Sequence, residues 1–411
     1  MPLQIAPSSP DVLIIGGGVA GSGLATVLAR AGLDVTVVER APKFIDRIRG
    51  EFVHAWGVRE MGRVGLLDVA IDGAEGRILP RWTRYVDREP QEPHRWSDDF
   101  PDVPGTLSVS HPALQQALID HAREAGARVL RPASLREVTW SGTQPVVAID
   151  TTVETVTLTP RLLVGADGTH SAVRRQLGGE GKSDPPHHAI GGALLRGINL
   201  PEDSAHQAYF EGGFAMVFPQ GHGLSRVYYV CSTEIADELQ RANQPVTLAS
   251  RLANTLPQGT VSDVTATGPI GFFPNSERLA TVAHGPSSVL IGDAAGSNDP
   301  SQGHGLSLVF RDIRDLAERL HRNTDWSPIP AEFAAARAHD HGVLRAHAHW
   351  VAPLSTETGT HVEAMRDRIA RAREIDPTAG GFAGIFGTGP ADLIADDAAR
   401  RHFLGEDIET G

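Results

Sequence analysis

Residues 11–40 read DVLIIGGGVAGSGLATVLARAGLDVTVVER, and this stretch decides how the chain begins to fold. An apolar strand at 11–15 is followed by a glycine turn, an amphipathic helix to about Ala31 and a second apolar strand that ends at Glu39. A strand, a helix and a second strand in this order predict a βαβ unit, which opens a parallel sheet.

The glycine turn has the spacing of a dinucleotide-binding site, because Gly16, Gly18 and Gly21 form G-x-G-x-x-G directly after a strand. The first glycine allows the tight turn, the second lets the backbone approach a pyrophosphate, and the third brings helix and strand together. Glu39, at the end of the second strand, can accept hydrogen bonds from both ribose hydroxyls. Because its carboxylate would repel a 2′-phosphate, the turn predicts FAD or NAD rather than NADP.

Later segments return to the same pattern of short apolar strands. Pro112 and Gly126 frame a helix at 112–125, after which ARVLR resumes strand character. Further apolar runs occupy 161–165 and 288–291. One sheet built from segments so far apart implies that a second domain is inserted between them.

The inserted segments differ from the rest of the chain in residue composition. Between about 180 and 280 the chain is rich in β-branched and aromatic residues separated by turns, which predicts antiparallel sheet. We therefore expect an α/β fold: a parallel-sheet, dinucleotide-binding domain, an inserted and mostly antiparallel β-sheet substrate domain, and a helical C-terminal region. The predicted boundaries are 1–80, 105–180 and 280–335 for the first domain, 80–105 and 180–280 for the second, and 335–411 for the last.

Composition excludes several classes of protein. A chain of 411 residues that is 41% hydrophobic can bury the cores of two joined domains. Its one cysteine, Cys231, forms no internal disulfide, which suits a cytoplasmic location. The net charge of −13, without a dense basic cluster, makes nucleic acid an unexpected partner. The N-terminal segment MPLQIAPSSPD has no features of a signal peptide, and no apolar run predicts membrane insertion.

Two further motifs follow the glycine turn, VGADGTHSAVR at 164–174 and GDAAGSNDPSQGHGLS at 292–307. With the RIRG at 47–50, the three motifs in this order resemble the class A flavoprotein monooxygenases, which have the p-hydroxybenzoate hydroxylase fold. The resemblance covers about residues 10–330 and implies that the dinucleotide is FAD.

The resemblance also implies which residues hold the cofactor. Asp293, at the end of the strand at 288–291, is placed to bond the ribityl chain, and the helix that begins near Gly305 directs its N–H groups at the flavin. Arg49 and Gln115 would contact the middle and the adenosine end, and Asp167 the pyrophosphate region, with a helix cap at the Asp-Gly turn as the alternative for Asp167. The full predicted cofactor set is Gly16, Gly18, Gly21, Glu39, Arg40, Arg49, Gln115, Asp167, Gly292, Asp293, Pro300, Gly303 and Gly305.

Activity is implied by the same resemblance. NADH or NADPH visits transiently and reduces FAD, O2 adds at C4a, and the flavin hydroperoxide hydroxylates or epoxidises an aromatic or polyketide-like small molecule. Only one dinucleotide fingerprint occurs in the chain, which agrees with a transient nicotinamide cofactor. The protein then has to position the substrate and exclude water, because the flavin carries the chemistry.

Candidate catalytic residues are His54, which follows RIRG, and His304, which lies in the last motif, because a histidine can act as a base on a phenol. For each, packing or an outward orientation is the alternative. The predicted substrate-binding residues are Trp56, Arg196, Phe214, Met216, Phe218, Arg226 and Tyr228. The aromatic ones would face a planar substrate and the arginines a carboxylate; sheet core and solvated surface are the alternatives.

Three positions depart from the family pattern, namely Gly296 in place of histidine, Ser307 in place of asparagine and His111 in place of arginine. The histidines of 338–350 are spaced by two rather than by four, so they share no helix face and no metal site is expected.

Other functions remain open at this point. A flavin-dependent halogenase is disfavoured because none of the six tryptophans stands in a W-x-W-x-I-P motif. An FAD-dependent reductase of isoprenoid-type double bonds and a non-catalytic flavin-binding protein stay as alternatives. A homodimer is also left open.

Overall fold

The computed structural model describes residues 9–382 and 384–408, so residues 1–8 of the segment inspected for a leader lie outside it. The described strands are β1 Val12–Ile15, β2 Val35–Val38, β3 Phe52–Val53, β4 Arg77–Leu79, β5 Arg81–Val86, β6 Glu89–Pro90, β7 His94–Arg95, β8 Thr106–Ser108, β9 Arg128–Leu130, β10 Ala133–Ser141, β11 Gln144–Thr151, β12 Thr155–Leu158, β13 Leu162–Gly165, β14 Gly181–Ser183, β15 Ala189–Ile198, β16 Ser204–Phe210, β17 Gly213–Gly221, β18 Leu224–Cys231, β19 Val261–Ala266, β20 Gly271–Pro274, β21 Arg278–Ala280, β22 His284–Gly285, β23 Ser288–Leu290 and β24 Gly296–Ser297.

The helices of the same residues alternate with these strands. They are α1 Val19–Arg30, α2 Ala55–Arg63, α3 Leu67–Asp72, α4 Trp96–Asp99, α5 His111–Glu124, α6 Ala172–Gln176, α7 Thr233–Ala242, α8 Pro245–Ala253, α9 Gly305–Arg322, α10 Ile329–Thr356, α11 Thr360–Ile375 and α12 Asp397–Phe403. Two 3-10 turns span Gly292–Ala294 and Pro300–Gln302.

A parallel sheet forms the first layer, in the order β22-β23-β13-β1-β2-β9, with only the edge strand β22 antiparallel. Its central strand β1 is buried along its whole length, because helices α1 and α9 cover one face and the sheet β10-β11-β12 covers the other. A strand buried on both faces must be apolar throughout, which is why VLII was recognisable from sequence. The predicted parallel sheet assembled from distant segments is confirmed.

A nine-stranded sheet forms the second layer, in the order β19-β15-β18-β17-β16-β5-β6, with β20 on β15 and β7 on β5. Its pairings are antiparallel except that β5 runs parallel to β16. Residues 81–95 and 189–274 therefore share one sheet. One face packs on α7 and α8, which the sequence analysis did not predict, and the other is turned towards the glycine turn of β1. We propose that the chain divides into domains at the boundaries predicted from the sequence, because the parallel sheet and the nine-stranded sheet are separate sheets.

The C-terminal region is helical, as expected, and α10 packs against α9. Arg337 of α10 donates to the carbonyl oxygens of Gly292 and Gly296, so this region reaches the last sequence motif. No helix within the described residues is both long and apolar enough to cross a membrane.

Candidate functional site

The glycine turn after β1 has no room for larger residues at two positions. Gly16 has a φ of +107°, and a Cβ there would collide with the carbonyl oxygen of Ala166. A Cβ at Gly21 would collide with the carbonyl oxygen of Gly16. Gly18 differs, because it lines a cavity and the nearest atom to a Cβ there is Gln115 Nε2 at 3.6 Å. The turn therefore presents bare backbone to the cavity at the N-terminus of α1.

Glu39 is buried behind this turn. Its carboxylate accepts hydrogen bonds from the backbone N–H of Gly17 at 2.8 Å and of Ala41 at 2.6 Å. Two acceptor positions of the carboxylate remain for the expected ribose contacts. Arg40 does not line the cavity but a separate pocket beside Pro132 and Asp150, so its place in the cofactor set stays a prediction.

The cavity has a volume of about 1270 Å³ and extends from Gly18 past the start of α9 to the nine-stranded sheet and the C-terminal helices. Of the predicted residues, the cavity brings together Gly18, Arg49, His54, Gln115, Phe214, Met216, Phe218, Tyr228, Asp293, Pro300, Gly303 and Gly305.

The last sequence motif forms a second turn at the cavity. Gly292 has a φ of +55°, its N–H donates to Asp312 at 2.8 Å, and its carbonyl accepts from Arg337 at 2.9 Å. Asp293 follows and opens to the cavity, and no side chain in the described residues hydrogen-bonds its carboxylate. Burial raises the pKa of Asp293, while Arg337 and Arg49 oppose the rise.

The start of α9 is open in the same way. Nothing lies within 4 Å of a Cβ built at Gly305, and Gly305 and Leu306 both line the cavity. The first turns of α1 and α9 thus face one space, and helix N-termini favour anionic or electron-rich groups. Arg49 and Gln115 also face it, and neither has a hydrogen bond to another described residue. Free polar side chains, bare glycine backbone and two helix N-termini fit an extended FAD.

Asp167 caps a helix, which was the alternative to its predicted place near the pyrophosphate. Its carboxylate accepts from Ser171 Oγ at 2.5 Å and from the backbone N–H of Ala172 at 2.6 Å, so it caps α6. The backbone on either side of it, at Ala166 and Gly168, lines the cavity instead. Gly292 likewise lies behind the wall and supports Asp293.

An aromatic wall faces the cavity from the nine-stranded sheet. Phe214, Met216 and Phe218 alternate along β17, so all three point to the same face, and Tyr228 of β18 lies opposite Met216. Phe52, which the sequence analysis missed, stacks on Phe218 with ring centroids 4.4 Å apart. Trp82 of β5 completes this wall and was missed too, because nothing in its local sequence shows which face it takes.

The two arginines predicted to bind substrate do not line the cavity. Arg196 is exposed and bonds the carbonyl oxygen of His222. Arg226 is buried and absent from the cavity lining, because Glu51 and Asp46 each accept from its Nη2 at 2.7 Å. The sequence analysis expected Arg226 to pair with a substrate carboxylate and did not foresee the two carboxylates from the RIRG loop that hold it.

His54 lines the cavity, whereas His304 and Trp56 do not. The Nε2 atom of His54 lies 2.7 Å from the carbonyl oxygen of Gln302, so Nε2 carries the hydrogen and Nδ1 is an unpaired acceptor. Burial lowers the pKa of His54 to about 4, which leaves the ring neutral. His304 stacks on Phe386 with centroids 5.4 Å apart, and Trp56 packs beside Leu308 in a buried cluster. His304 and Trp56 are therefore packed in the protein interior and do not line the cavity.

The three departures from the family pattern have structural roles here. His111 Nδ1 hydrogen-bonds the carbonyl oxygen of Gly50 at 2.8 Å, and Ser307 Oγ accepts from the backbone N–H of His54 at 3.0 Å. Gly296, with a φ of +147°, offers its carbonyl to Arg337 at 3.1 Å. They hold the RIRG loop and the second turn in place.

One group of side chains outside the cavity has metal-ligand geometry. Asp184, Glu277 and His349 offer atoms within 4.8 Å of one another. Arg345 already ion-pairs with both carboxylates, at 2.5 Å from Asp184 and 3.1 Å from Glu277. Because a guanidinium supplies the positive charge, we interpret this group as an ion-pair network. His347 lies elsewhere, stacked on Phe382 at 5.8 Å.

The C-terminal region supplies the far end of the cavity, which the sequence analysis did not foresee. His347, Leu354, Phe386 and Phe403 line it. The only local signal was the alternation of glycine and phenylalanine between 380 and 387, which has no family motif.

Comparison with known proteins gives a consistent result. The FAD binding domain family matches residues 9–325. The chain is 29% identical over 334 residues to the rifampicin monooxygenase of Rhodococcus hoagii, covering 78% of this chain and 65% of that protein. It is 25% identical over 372 residues to the 6-methylpretetramide 4-monooxygenase of Streptomyces rimosus, covering 88% and 63%. The chain thus spans just under two thirds of the length of these two relatives.

Among solved structures, the p-nitrophenol 4-monooxygenase of Pseudomonas putida DLL-E4 has a TM-score of 0.75, with 19% identity and 97% of both chains covered. This likeness concerns the fold.

Proposed function

Because the chain belongs to the FAD binding domain family, we propose that it is an FAD-dependent monooxygenase. It uses NADH or NADPH and O2 to hydroxylate or epoxidise an aromatic or polyketide-like small molecule. The observation that carries this proposal is one continuous cavity, in which the two backbone turns at Gly18 and Asp293 and the aromatic wall of the nine-stranded sheet face the same space.

FAD supplies the redox and oxygen chemistry when bound, and the side chains of this protein hold and shield it. Asp293 would accept from the ribityl hydroxyls, Arg49 would contact the middle of the dinucleotide and Gln115 its adenosine end, and the N-terminus of α9 would stabilise negative charge at the ring. Glu39 would accept from the adenosine ribose.

Substrate binding falls to the aromatic wall and the C-terminal region. Phe52, Phe218 and Trp82 offer flat apolar surface to a planar ring system. Phe386 and Phe403 keep water from the far end of the cavity. His54 is the one predicted catalytic side chain at the cavity, but its unpaired Nδ1 is shielded from the cavity, so we assign the ring a packing role beside Phe52 rather than proton transfer.

The nicotinamide cofactor binds transiently, since the chain has one dinucleotide fingerprint. The proposal includes a cytoplasmic location, which the single, buried cysteine supports.

The test is aerobic turnover by the purified, FAD-loaded protein. We expect NADH or NADPH oxidation and O2 consumption to rise together when a phenol, quinone or polyketide aromatic is added, with less than one peroxide per O2. A reductase of isoprenoid-type double bonds would oxidise the nicotinamide cofactor equally well without O2. A protein that stays colourless near 450 nm with excess FAD would end the proposal, and a yellow protein that never oxidises either nicotinamide would indicate a non-catalytic flavoprotein.

A further inference from the structure

A buried polar group interrupts the aromatic wall. Glu51 and Tyr228 both line the cavity, with residue exposures of 2% and 6%. Behind them, Arg226 is 1% exposed and is not part of the lining. The sequence analysis did not single out Glu51, which directly follows RIRG.

The hydrogen bonds of this group run between its own members. The Tyr228 hydroxyl donates to Glu51 Oε2 at 2.8 Å, and a hydroxyl has only one hydrogen to give. Arg226 Nη2 donates to Glu51 Oε1 at 2.7 Å, and its Nε lies 2.5 Å from Oε2. What the group offers the cavity is therefore the oxygen of the Tyr228 hydroxyl, which accepts a hydrogen bond and donates none, since the Glu51 side chain is 1% exposed.

The charge of the group points the same way. Glu51 and Asp46 share the single guanidinium of Arg226, so two carboxylates face one cation. Burial raises the pKa of Glu51 to about 7, against the opposing effects of Arg226 and Tyr228, so above that pH the carboxylate form predominates. A net negative, acceptor-only patch on an apolar wall attracts hydrogen-bond donors and repels anions.

We infer that Tyr228 and Glu51 form a specificity patch in which the Tyr228 hydroxyl oxygen anchors the substrate through a hydrogen-bond donor, a hydroxyl or an amine, while the charge of Glu51 rejects a carboxylate in that position. Arg226 and Asp46 are positioning residues, since they act by fixing Glu51. The inference rests on the proposed function only in that the occupant is an aromatic molecule. It reverses the sequence-based expectation that Arg226 pairs with a substrate carboxylate.

The experiment compares three naphthalenes of the same outline: 2-naphthol, which donates, 2-methoxynaphthalene, which cannot, and 2-naphthoate, which is anionic. Binding to the oxidised FAD-loaded protein is followed at about pH 8 by the change in flavin absorbance, without a nicotinamide cofactor. A buried acceptor left without a donor weakens binding, so we expect the methoxy compound and the naphthoate to bind at least about tenfold more weakly than the naphthol.

Two variants assign this preference to the patch. Tyr228→Phe should bind naphthol and methoxynaphthalene within about threefold of each other, and Glu51→Gln should bind naphthoate more tightly than the wild type does. Tyr229→Phe is the matched control, because Tyr229 is the next residue of the same strand and packs on the opposite face. It should keep the full preference.

The inference is overturned if the wild type binds naphthoate or the methoxy compound as tightly as the naphthol, or if none of the three binds. Retention of the preference in Tyr228→Phe would overturn it as well. These outcomes are distinct from failure of the proposed function: a protein that prefers the naphthol but never couples it to O2 consumption keeps the patch and loses the monooxygenase.

Discussion

Arg337 is the residue through which the C-terminal region holds the second turn at the cavity, and replacing it with methionine tests that connection. Its Nε donates to Asp312 Oδ2 at 2.8 Å, and its Nη2 donates to the carbonyl oxygens of Gly292 and Gly296 at 2.9 and 3.1 Å. Both charged side chains are almost completely buried, with exposures of 6% and 2%. Methionine keeps the length and apolar stem but removes all three donors.

The expected loss of unfolding free energy follows from the buried groups that lose their partner in Arg337→Met. Arg337→Met leaves Asp312 as a buried carboxylate whose remaining partner is the N–H of Gly292, and the carbonyl oxygens of Gly292 and Gly296 each lose a donor, although that of Gly292 keeps the N–H of Ala295. Loss of one partner of a buried ion pair costs about 3–5 kcal/mol of unfolding free energy. Because burial raises the pKa of Asp312 and Arg337 lowers it, the variant should also shift that pKa further upward.

The assay is urea unfolding of the apoprotein followed by far-UV circular dichroism, within a double-mutant cycle. Asp312→Asn keeps an acceptor for Gly292 but removes the charge, so in the Arg337→Met background it should recover about 2 kcal/mol. Arg322→Met breaks an exposed pair with Glu318 and should cost less than about 0.5 kcal/mol. An Arg337→Met protein within about 1 kcal/mol of the wild type, or strictly additive variants, would refute the reasoning.

Three further outcomes are expected. Asp293→Ala should weaken FAD binding at least about tenfold by flavin fluorescence titration, whereas Asp167→Ala, which removes only a helix cap, should cost about 1 kcal/mol of stability and leave FAD affinity unchanged. Gly18→Val should fold but bind no FAD, because its side chain enters the cavity. Gly21→Val should fail to fold, because its Cβ would collide with the carbonyl oxygen of Gly16. Equal FAD binding by Gly18→Val and the wild type would contradict this prediction. Burial lowers the pKa of His54 to about 4, so when the pH decreases below about 6.5 the unfolded protein takes up a proton at this residue before the folded protein does, and the free energy of unfolding decreases. Between about pH 7.5 and 5, His54→Gln should therefore lose about 2 kcal/mol less of this free energy than the wild type, as measured by urea unfolding.

Much of the first layer could be predicted from local sequence. β1 reads as uninterrupted apolar residues because both of its faces are buried, and Gly21 is required by a backbone contact within the βαβ unit itself, whereas Gly16 is required by its positive φ and by the carbonyl oxygen of Ala166. The turn at Gly292 and Asp293 was recognised by family resemblance, and the structure places it at the same cavity. Helices α7 and α8 were missed because the strands around them dominated the pattern of that segment.

Side-chain roles at the site were less predictable. Arg226, Asp167 and His304 were each assigned to a ligand from residue type and position in a motif. In the structure Arg226 pairs with Glu51 and Asp167 caps α6, while the His304 ring stacks on Phe386. An ion pair, a helix cap and a ring stack depend on the atoms nearest to each side chain.

The sequence by itself determined the parallel sheet and the first glycine turn, since these follow from periodicity and backbone geometry over a few consecutive residues, and the resemblance of its three motifs to a known family implied FAD. Only the tertiary structure decided which side chains face the cavity. Arg226 and Glu51 are separated by 175 positions along the chain, yet their atoms are 2.7 Å apart. Hydrogen bonds and charges act over a few ångströms in space, so a pairing between such distant residues leaves no pattern in either local segment.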